Sequence, residues 1–273
     1  MKPAEYAALD AVNWSTLKVL RRSPLHYQHA RANPRADADY LAMGRAVHTA
    51  VLEPDRFALD YAIWTGERRA GKAWEAFKEA NAARTILTER EYGTCLAIRD
   101  AVRAHPRAAA YLERGQAERA IVWTDAATGL RCKARLDFIS SSRPAVVDLK
   151  TARSVEPRRF GTASAQLLYH GQLAFYRAGW RAVTGADLDP VILAVESEAP
   201  HDVVVYRFEE ETRDEGDALA AALLEQLAER RRSGDWPGID RGEEQLLALP
   251  RWALPDDDGA DDLGITFTTT EAP

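Results

Sequence analysis

The sequence predicts an α/β protein, with a mixed central sheet flanked by helices and a helical elaboration at the N-terminus. Three observations carry that expectation. Helical signals dominate residues 1–115, short period-two runs begin at 131, and the elements follow the order helix, strand pair, strand, helix, strand, strand, helix. With 273 residues, 46% of them hydrophobic, the chain is long enough for one good core. The simplest organisation is a single domain over 1–255, helical over 1–115 and carrying the core over 116–255, with an acidic tail over 256–273.

The elements follow from local chemistry. Asn13 or Ser15 can cap the first helix. Residues 40–54 read as a helix stopped by Pro54. Residues 70–81 are amphipathic, and Thr88-Glu89-Arg90-Glu91 is a capping box opening a helix toward Ala104. The run 131–139 alternates, with Cys132, Ala134, Leu136 and Phe138 on one side and Arg131, Lys133, Arg135 and Asp137 on the other. Ser140-Ser141-Ser142-Arg143-Pro144 supplies the turn, after which Ala145, Val147 and Leu149 share one face and Val146, Asp148 and Lys150 the other. A helix over 163–178, strands over 191–196 and 203–208, and a helix over 217–231 complete the core.

The hairpin is where chemistry concentrates, because it brings Asp137 and Asp148 together with Lys150 beside them. Neighbouring carboxylates repel, and a hard divalent cation is the usual resolution; magnesium suits the case in which substrate phosphate and water complete its shell. Such an ion activates water and draws charge from a phosphodiester, and Lys150 can orient the water or stabilise developing charge. The plainer alternative is that the two acids cap a hairpin. His48 adds a nitrogen donor on the helix 40–54, where packing against an apolar face is the competing role. Gly44 lies one turn earlier on the same face, where glycine costs about 1 kcal/mol against alanine, so close approach of a backbone or of DNA is the expected reason. Glu53 lies well round the helix from His48, and the sequence leaves open whether Glu53 or Glu118 assists a metal. On the helix 163–178, Tyr169, Gln172 and Tyr176 form a polar face able to contact bases or phosphates.

Charge narrows the partner. The formal net charge is −6, yet residues 256–273 hold six acidic residues and no basic ones, so the remainder is neutral. Residues 12–35 hold five Lys/Arg and no Asp/Glu, and residues 131–159 hold eight basic against three acidic residues. Lys18, Arg21, Arg22, Lys133, Arg135, Arg153 and Arg158 are therefore candidate phosphate contacts. The tail reads as disordered or as a partner element. Cys95 and Cys132 are the two cysteines, so neither a disulfide framework nor a four-cysteine iron–sulfur cluster can be built. The absence of a leader or a long apolar span leads to an expected place in the cytoplasm and no membrane partner.

Taken in order, Gly44-Arg45-Ala46-Val47-His48, Leu52-Glu53-Pro54, the run from Gly129 to Asp137, Val147-Asp148-Leu149-Lys150-Thr151 and Gln172-Leu173-Ala174-Phe175-Tyr176 resemble the successive motifs of the RecE-type exonuclease (exonuclease VIII) catalytic domain, in the RecB-like branch of the PD-(D/E)XK nuclease superfamily. Ser15-Thr16-Leu17-Lys18 through Ser23-Pro24-Leu25-His26-Tyr27 resemble its N-terminal helix and turn. Trp236-Pro237-Gly238 and Pro250-Arg251-Trp252 resemble its C-terminal signature. The resemblance implies a restriction-endonuclease-like core, with His48, Asp137, Asp148 and the Leu149 carbonyl as metal ligands and Lys150 as the catalytic lysine. Gln172 and Tyr176 correspond to a Gln-x-x-x-Tyr motif, with Gln172 catalytic and Tyr176 near DNA. It further implies a magnesium enzyme, in which manganese substitutes, digesting double-stranded DNA ends 5′ to 3′. A ring-like homo-oligomer and a RecT-like annealing partner belong to the same expectation. A structure-specific or single-strand nuclease on this core, and a DNA-binding processing subunit that does not cleave, are the alternatives.

Overall fold

Capping and proline, more than intrinsic propensity, set the helix boundaries of the N-terminal part. In the computed structural model, which describes residues 1, 3–33, 39–240, 244, 246–250 and 253–254, the first helices are α1 (Pro3–Ala8) and α2 (Trp14–Leu17). Asn13 caps α2 by accepting the Thr16 N–H at 2.9 Å. A 3₁₀ turn (Lys18–Arg21) leads to α3 (Pro24–Ala32), opened by the Ser23 side chain and by proline in its first turn. Next come α4 (Asp39–Leu52) and α5 (Pro54–Asp60); the proline expected to stop one helix also starts another. Then follow β1 (Tyr61–Trp64), α6 (Lys72–Ala80) and β2 (Thr85–Thr88). The two strands pair in parallel as a small separate sheet, which the sequence did not announce because four residues are too few to display alternation. In α7 (Glu89–Ala104) both bonds of the capping box form, Thr88 N–H to Glu91 at 2.7 Å and Glu91 N–H to Thr88 at 3.2 Å. A short α8 (Pro106–Leu112) closes this half.

The central sheet has the order β3 (Gly115–Thr124), β4 (Arg131–Ser140), β5 (Ala145–Ala152), β6 (Asp189–Glu196) and β7 (Val203–Arg207). The β5–β6 pair is parallel and the others antiparallel. A parallel neighbour needs a long crossover, and α9 (Pro157–Leu167) with α10 (Tyr169–Thr184) provides it. The sequence pattern read 163–178 as one helix. The chain instead breaks at Leu168, whose φ of +60° is left-handed. Leucine is a good helix former, so no propensity or periodicity marks that break. The last helix, α11 (Glu210–Ser233), is longer than 217–231, because its acidic first turn and basic last turn complement the helix dipole without adding to the apolar stripe.

The sheet carries a core on each face, and β5 divides between them as the period of two requires. Val146 joins Leu136, Ile192, Leu173 and Phe175 on the face covered by α2, α10 and α11. Ala145, Val147 and Leu149 join Val47, Val51, Ile98 and Leu193 on the face covered by α4 and α7. The mixed sheet with helices on both faces is the fold the sequence predicted.

One expected alternation fails, and its failure matters. Leu136 packs in the first core, whereas Phe138 packs in the second. On β3, Ile121 belongs to the first core while Ala117 packs against the second. Ala117 still faces Phe138 and Arg119 still faces Leu136, with Glu118 at φ +48° between them. Both strands therefore exchange faces at Glu118 and Asp137. A positive φ on a non-glycine strand residue is uncommon.

Elsewhere in the first core, a Cβ on Gly171 would lie 2.4 Å from the Trp14 ring, so this glycine sets how closely α10 approaches α2. The chain's C-terminal stretch is clasped to α3: Trp236 stacks on Tyr27 at 5.8 Å, and the Pro237 carbonyl accepts the Leu25 N–H at 3.0 Å. Residues 1–239 form one unit and 240–273 a second. In the second unit Leu246 and Leu247 are exposed. Arg251, Trp252 and the acidic tail over 256–273 lie outside the described residues.

Candidate active site

The site lies where β4 and β5 part. Their ladder comprises Ser140–Ala145, Ile139–Val146 and Phe138–Val147, and goes no further. Asp137 stands at the next position, and its Oδ2 accepts the Leu149 N–H at 2.9 Å. Farther along, the edge that β5 leaves is taken by Val12, which bonds to Arg131 O and Lys133 N at 2.8 and 2.7 Å. The divergence exposes a slot into which Asp137 and Asp148 both project charge.

Asp148 is 1% exposed. Its Oδ1 accepts from Gln172 Nε2 at 3.1 Å, and Gln172 Nε2 also donates to the Tyr176 hydroxyl at 3.0 Å. Its Oδ2 lies 2.5 Å from Lys150 Nζ, yet the approach lacks hydrogen-bond alignment and leaves that oxygen a buried acceptor without a hydrogen bond. Burial and the nearby Asp137 push the Asp148 carboxyl up, against the pull of Lys150. Burial opposes the charge of Lys150, but Asp148 and Asp137 outweigh it and hold the ammonium protonated. The ammonium also sits over the Tyr169 ring, 4.7 Å from its centre. That stacking depends on Leu168, because the break there starts α10 at Tyr169 and leaves its ring beside β5.

His48, on the site-facing side of α4, brings Nδ1 to 3.5 Å from Asp137 Oδ2. Nothing lies within 4 Å of a Cβ built on Gly44, so no neighbour within the chain accounts for that glycine. Glu118, His48 and Asp137 each offer a ligand atom, all within 4.8 Å of one another. The Glu118 carboxyl is pushed up to about 7, first by burial and then by Asp137, with Arg135 opposing. Glu53 is instead engaged by Arg56 at 3.2 Å. Of the two acids the sequence left open, the fold brings Glu118 into the cluster. The sequence offered little to choose it, since strand β3 had not been located.

These donors suit a divalent cation. Three carboxylates and one imidazole converge, one buried carboxylate oxygen lacks a hydrogen bond, and hard oxygen donors with a single nitrogen match a first-row or alkaline-earth divalent ion.

The proposed phosphate contacts fare unevenly. Arg21, Arg22, Arg153 and Arg158 are exposed. Lys18 donates to the Leu167 carbonyl at 3.4 Å. Lys133 is a correction: it is 5% exposed, and its ammonium donates to the carbonyls of Tyr6, Ala7 and Leu9 at 2.8, 3.3 and 2.7 Å, where it closes the end of α1. The strand pattern placed it on a polar face, but α1 covers that face. Arg135 stacks on Tyr6 at 4.7 Å and lies 3.9 Å from Glu118, inward of the surface. Tyr176 likewise turns its hydroxyl to Gln172 rather than outward.

A fold with a mixed sheet parted beside paired acids and a lysine is that of the PD-(D/E)XK class. A family model described as "PDDEXK-like domain of unknown function (DUF3799)" matches residues 13–244, and the chain belongs to that family. No curated protein matches it. Among solved structures, the chain is similar to a protein from Eubacterium rectale described as "Putative exonuclease", with 15% identity, a TM-score of 0.60, and coverage of 92% of this chain and 95% of that one. At that identity the likeness is one of fold.

Proposed function

We propose that this protein is a magnesium-dependent exodeoxyribonuclease acting on double-stranded DNA ends. The observation that carries the reading is the convergence of Asp137, Asp148, Lys150, Gln172 and His48 at the parting of β4 and β5. Membership of a PDDEXK-like family supports it. Asp137, Asp148 and the Leu149 carbonyl would hold the cation, with His48 beside them; magnesium, or manganese in its place, supplies Lewis acidity toward a phosphodiester oxygen and an acidified water.

The protein's own residues have separable tasks. Lys150 presents a fixed positive charge toward the attacking water or the charge developing on phosphate. Gln172 fixes the Asp148 carboxylate by one hydrogen bond, while Tyr176 fixes Gln172. The exposed Arg21, Arg22, Arg153 and Arg158 steer the DNA backbone. We extend the reading to 5′-to-3′ digestion that leaves 3′ single-stranded tails, a ring-like homo-oligomer, a RecT-like annealing partner and a cytoplasmic location. The family resemblance of the motifs supports these. Among the described residues no helix is long and apolar enough to cross a membrane.

The test compares end-labelled linear duplex, circular duplex and single strands, each with magnesium, manganese or EDTA. Degradation of the linear duplex alone, abolished by EDTA and by Asp148→Asn, is the expected result. Equal attack on circles would point to a structure-specific or single-strand enzyme, and binding without cleavage to a processing subunit.

A further inference from the structure

We infer that His48, Glu118 and Asp137 form a cation position of their own, one that does not require Asp148. This deepens the nuclease reading and rests on it only for the use made of the ion. The cluster divides by geometry. The three ligand atoms of His48, Glu118 and Asp137 lie within 4.8 Å of one another, and Asp148 is not in that group. Asp148 has other neighbours: Gln172 holds its Oδ1 and Lys150 lies against its Oδ2. Asp137 therefore stands between two donor sets. One is oxygen-only, with Asp148 and the Leu149 carbonyl, and the other is mixed, with His48 and Glu118.

Glu118 has a competing explanation, an ion pair with Arg135. The separation of 3.9 Å is too long for a hydrogen bond, and the guanidinium already stacks over Tyr6 at 4.7 Å. The exchange of faces at Glu118 and Asp137 gives the positive reason for its placement. With regular alternation on both strands, Leu136 and Phe138 would lie in one core; the exchange at this pair turns both acids toward the edge where His48 descends from α4. The independent sign of a cation here is the Asp148 Oδ2 atom, buried and without a hydrogen bond on the other side of Asp137.

The donor sets differ in what they select. Oxygen ligands suit magnesium, whereas one imidazole with two carboxylates favours a first-row ion such as Mn²⁺. The two positions should thus fill at different Mn²⁺ concentrations, and the mixed position should discriminate more strongly against magnesium.

The experiment measures Mn²⁺ binding by electron paramagnetic resonance on the full chain, for the wild type, Asp148→Asn, Glu118→Gln and the double variant. Circular dichroism and melting show that each is folded, and the asparagine and glutamine changes are isosteric. Asp148→Asn should retain an Mn²⁺ site, and adding Glu118→Gln should weaken that site on the order of tenfold or more, since even outer-shell changes at metal centres reach that size. His48→Ala in the Asp148→Asn background should do the same. Loss of all Mn²⁺ binding in Asp148→Asn, or unchanged binding in the double variant, would overturn the inference. DNA cleavage by the wild type is scored separately, so a protein that binds Mn²⁺ as described yet fails to cut DNA would sink the nuclease reading and leave this one standing.

Discussion

Lys150 and Asp148 point from the same face of β5 and meet at 2.5 Å, with the carboxylate buried and the ammonium facing the slot. A lysine so placed is close to the metal donors without being one. Replacing it with alanine removes a charge used mainly in the transition state, so single-turnover cleavage in magnesium should fall by on the order of a hundredfold or more. Duplex affinity measured in calcium should change little. An affinity loss as large as the rate loss would reassign Lys150 to phosphate binding.

Tyr169 carries the other side of that ammonium. Its ring, not its hydroxyl, makes the contact, so Tyr169→Phe should keep most of the turnover while Tyr169→Leu lowers kcat several-fold with KM nearly unchanged. Equal loss in both variants would mean that the hydroxyl acts directly on DNA or water, as the polar helix face alone suggested.

Glu118 sets a pH dependence whose sign is opposite to that of an ordinary paired acid. Its carboxyl rises from 4.5 to about 7 in the fold, so the native state binds the proton more tightly than the unfolded chain. The stabilisation is complete below about pH 4.5 and is lost as pH rises through about 7. In EDTA, the melting temperature should fall across that window, and Glu118→Gln should flatten the fall. Asp148, also pushed up, contributes with the same sign and leaves a residual slope. Identical profiles for wild type and variant would refute the assignment.

Lys133→Met keeps the aliphatic stem and removes the ammonium from three carbonyls. The unmatched acceptors should cost about 1–3 kcal/mol and lower the melting temperature. DNA affinity at fixed salt should be unchanged, and so should its salt slope; a shallower slope would return Lys133 to the phosphate contacts.

Two glycines should behave in opposite ways. Gly171→Ala drives a Cβ to 2.4 Å from Trp14 and should destabilise by about 1–3 kcal/mol. Gly44→Ala meets no atom within 4 Å and should stabilise the helix by up to about 1 kcal/mol. If the space beside Gly44 receives DNA, the same substitution should weaken duplex binding in calcium while the melting temperature rises. Unchanged affinity would make the glycine incidental.

The reading of residues was most reliable where a signal is local. The box at Thr88 and Glu91, the alternation of β5 and the turn after Ser140 need only a few neighbours to be visible. Alternation across Asp137 was misread because the exchange of faces is made by two strands together, and neither strand alone records it. Lys133 looked like a surface cation for a similar reason: the helix that covers it lies more than a hundred residues away in the chain. The lysine beside Tyr169 was hidden by a leucine in a conformation that leucine seldom adopts. The acids, lysine and histidine were legible as types and order, whereas the partition of their ligand atoms needed coordinates.

The short ladder between β4 and β5 has a consequence for how such a chain can vary. With only three residue pairs closing the hairpin, Asp137 is anchored by one main-chain N–H, that of Leu149, twelve positions away. The turn 141–144 is free to change its residues but not its number of residues. One insertion would move Leu149 out of reach and turn Asp148 toward α4, since a one-residue slip reverses every side chain on a strand. Loop length here is under tighter constraint than loop composition, the reverse of the usual tolerance of surface turns.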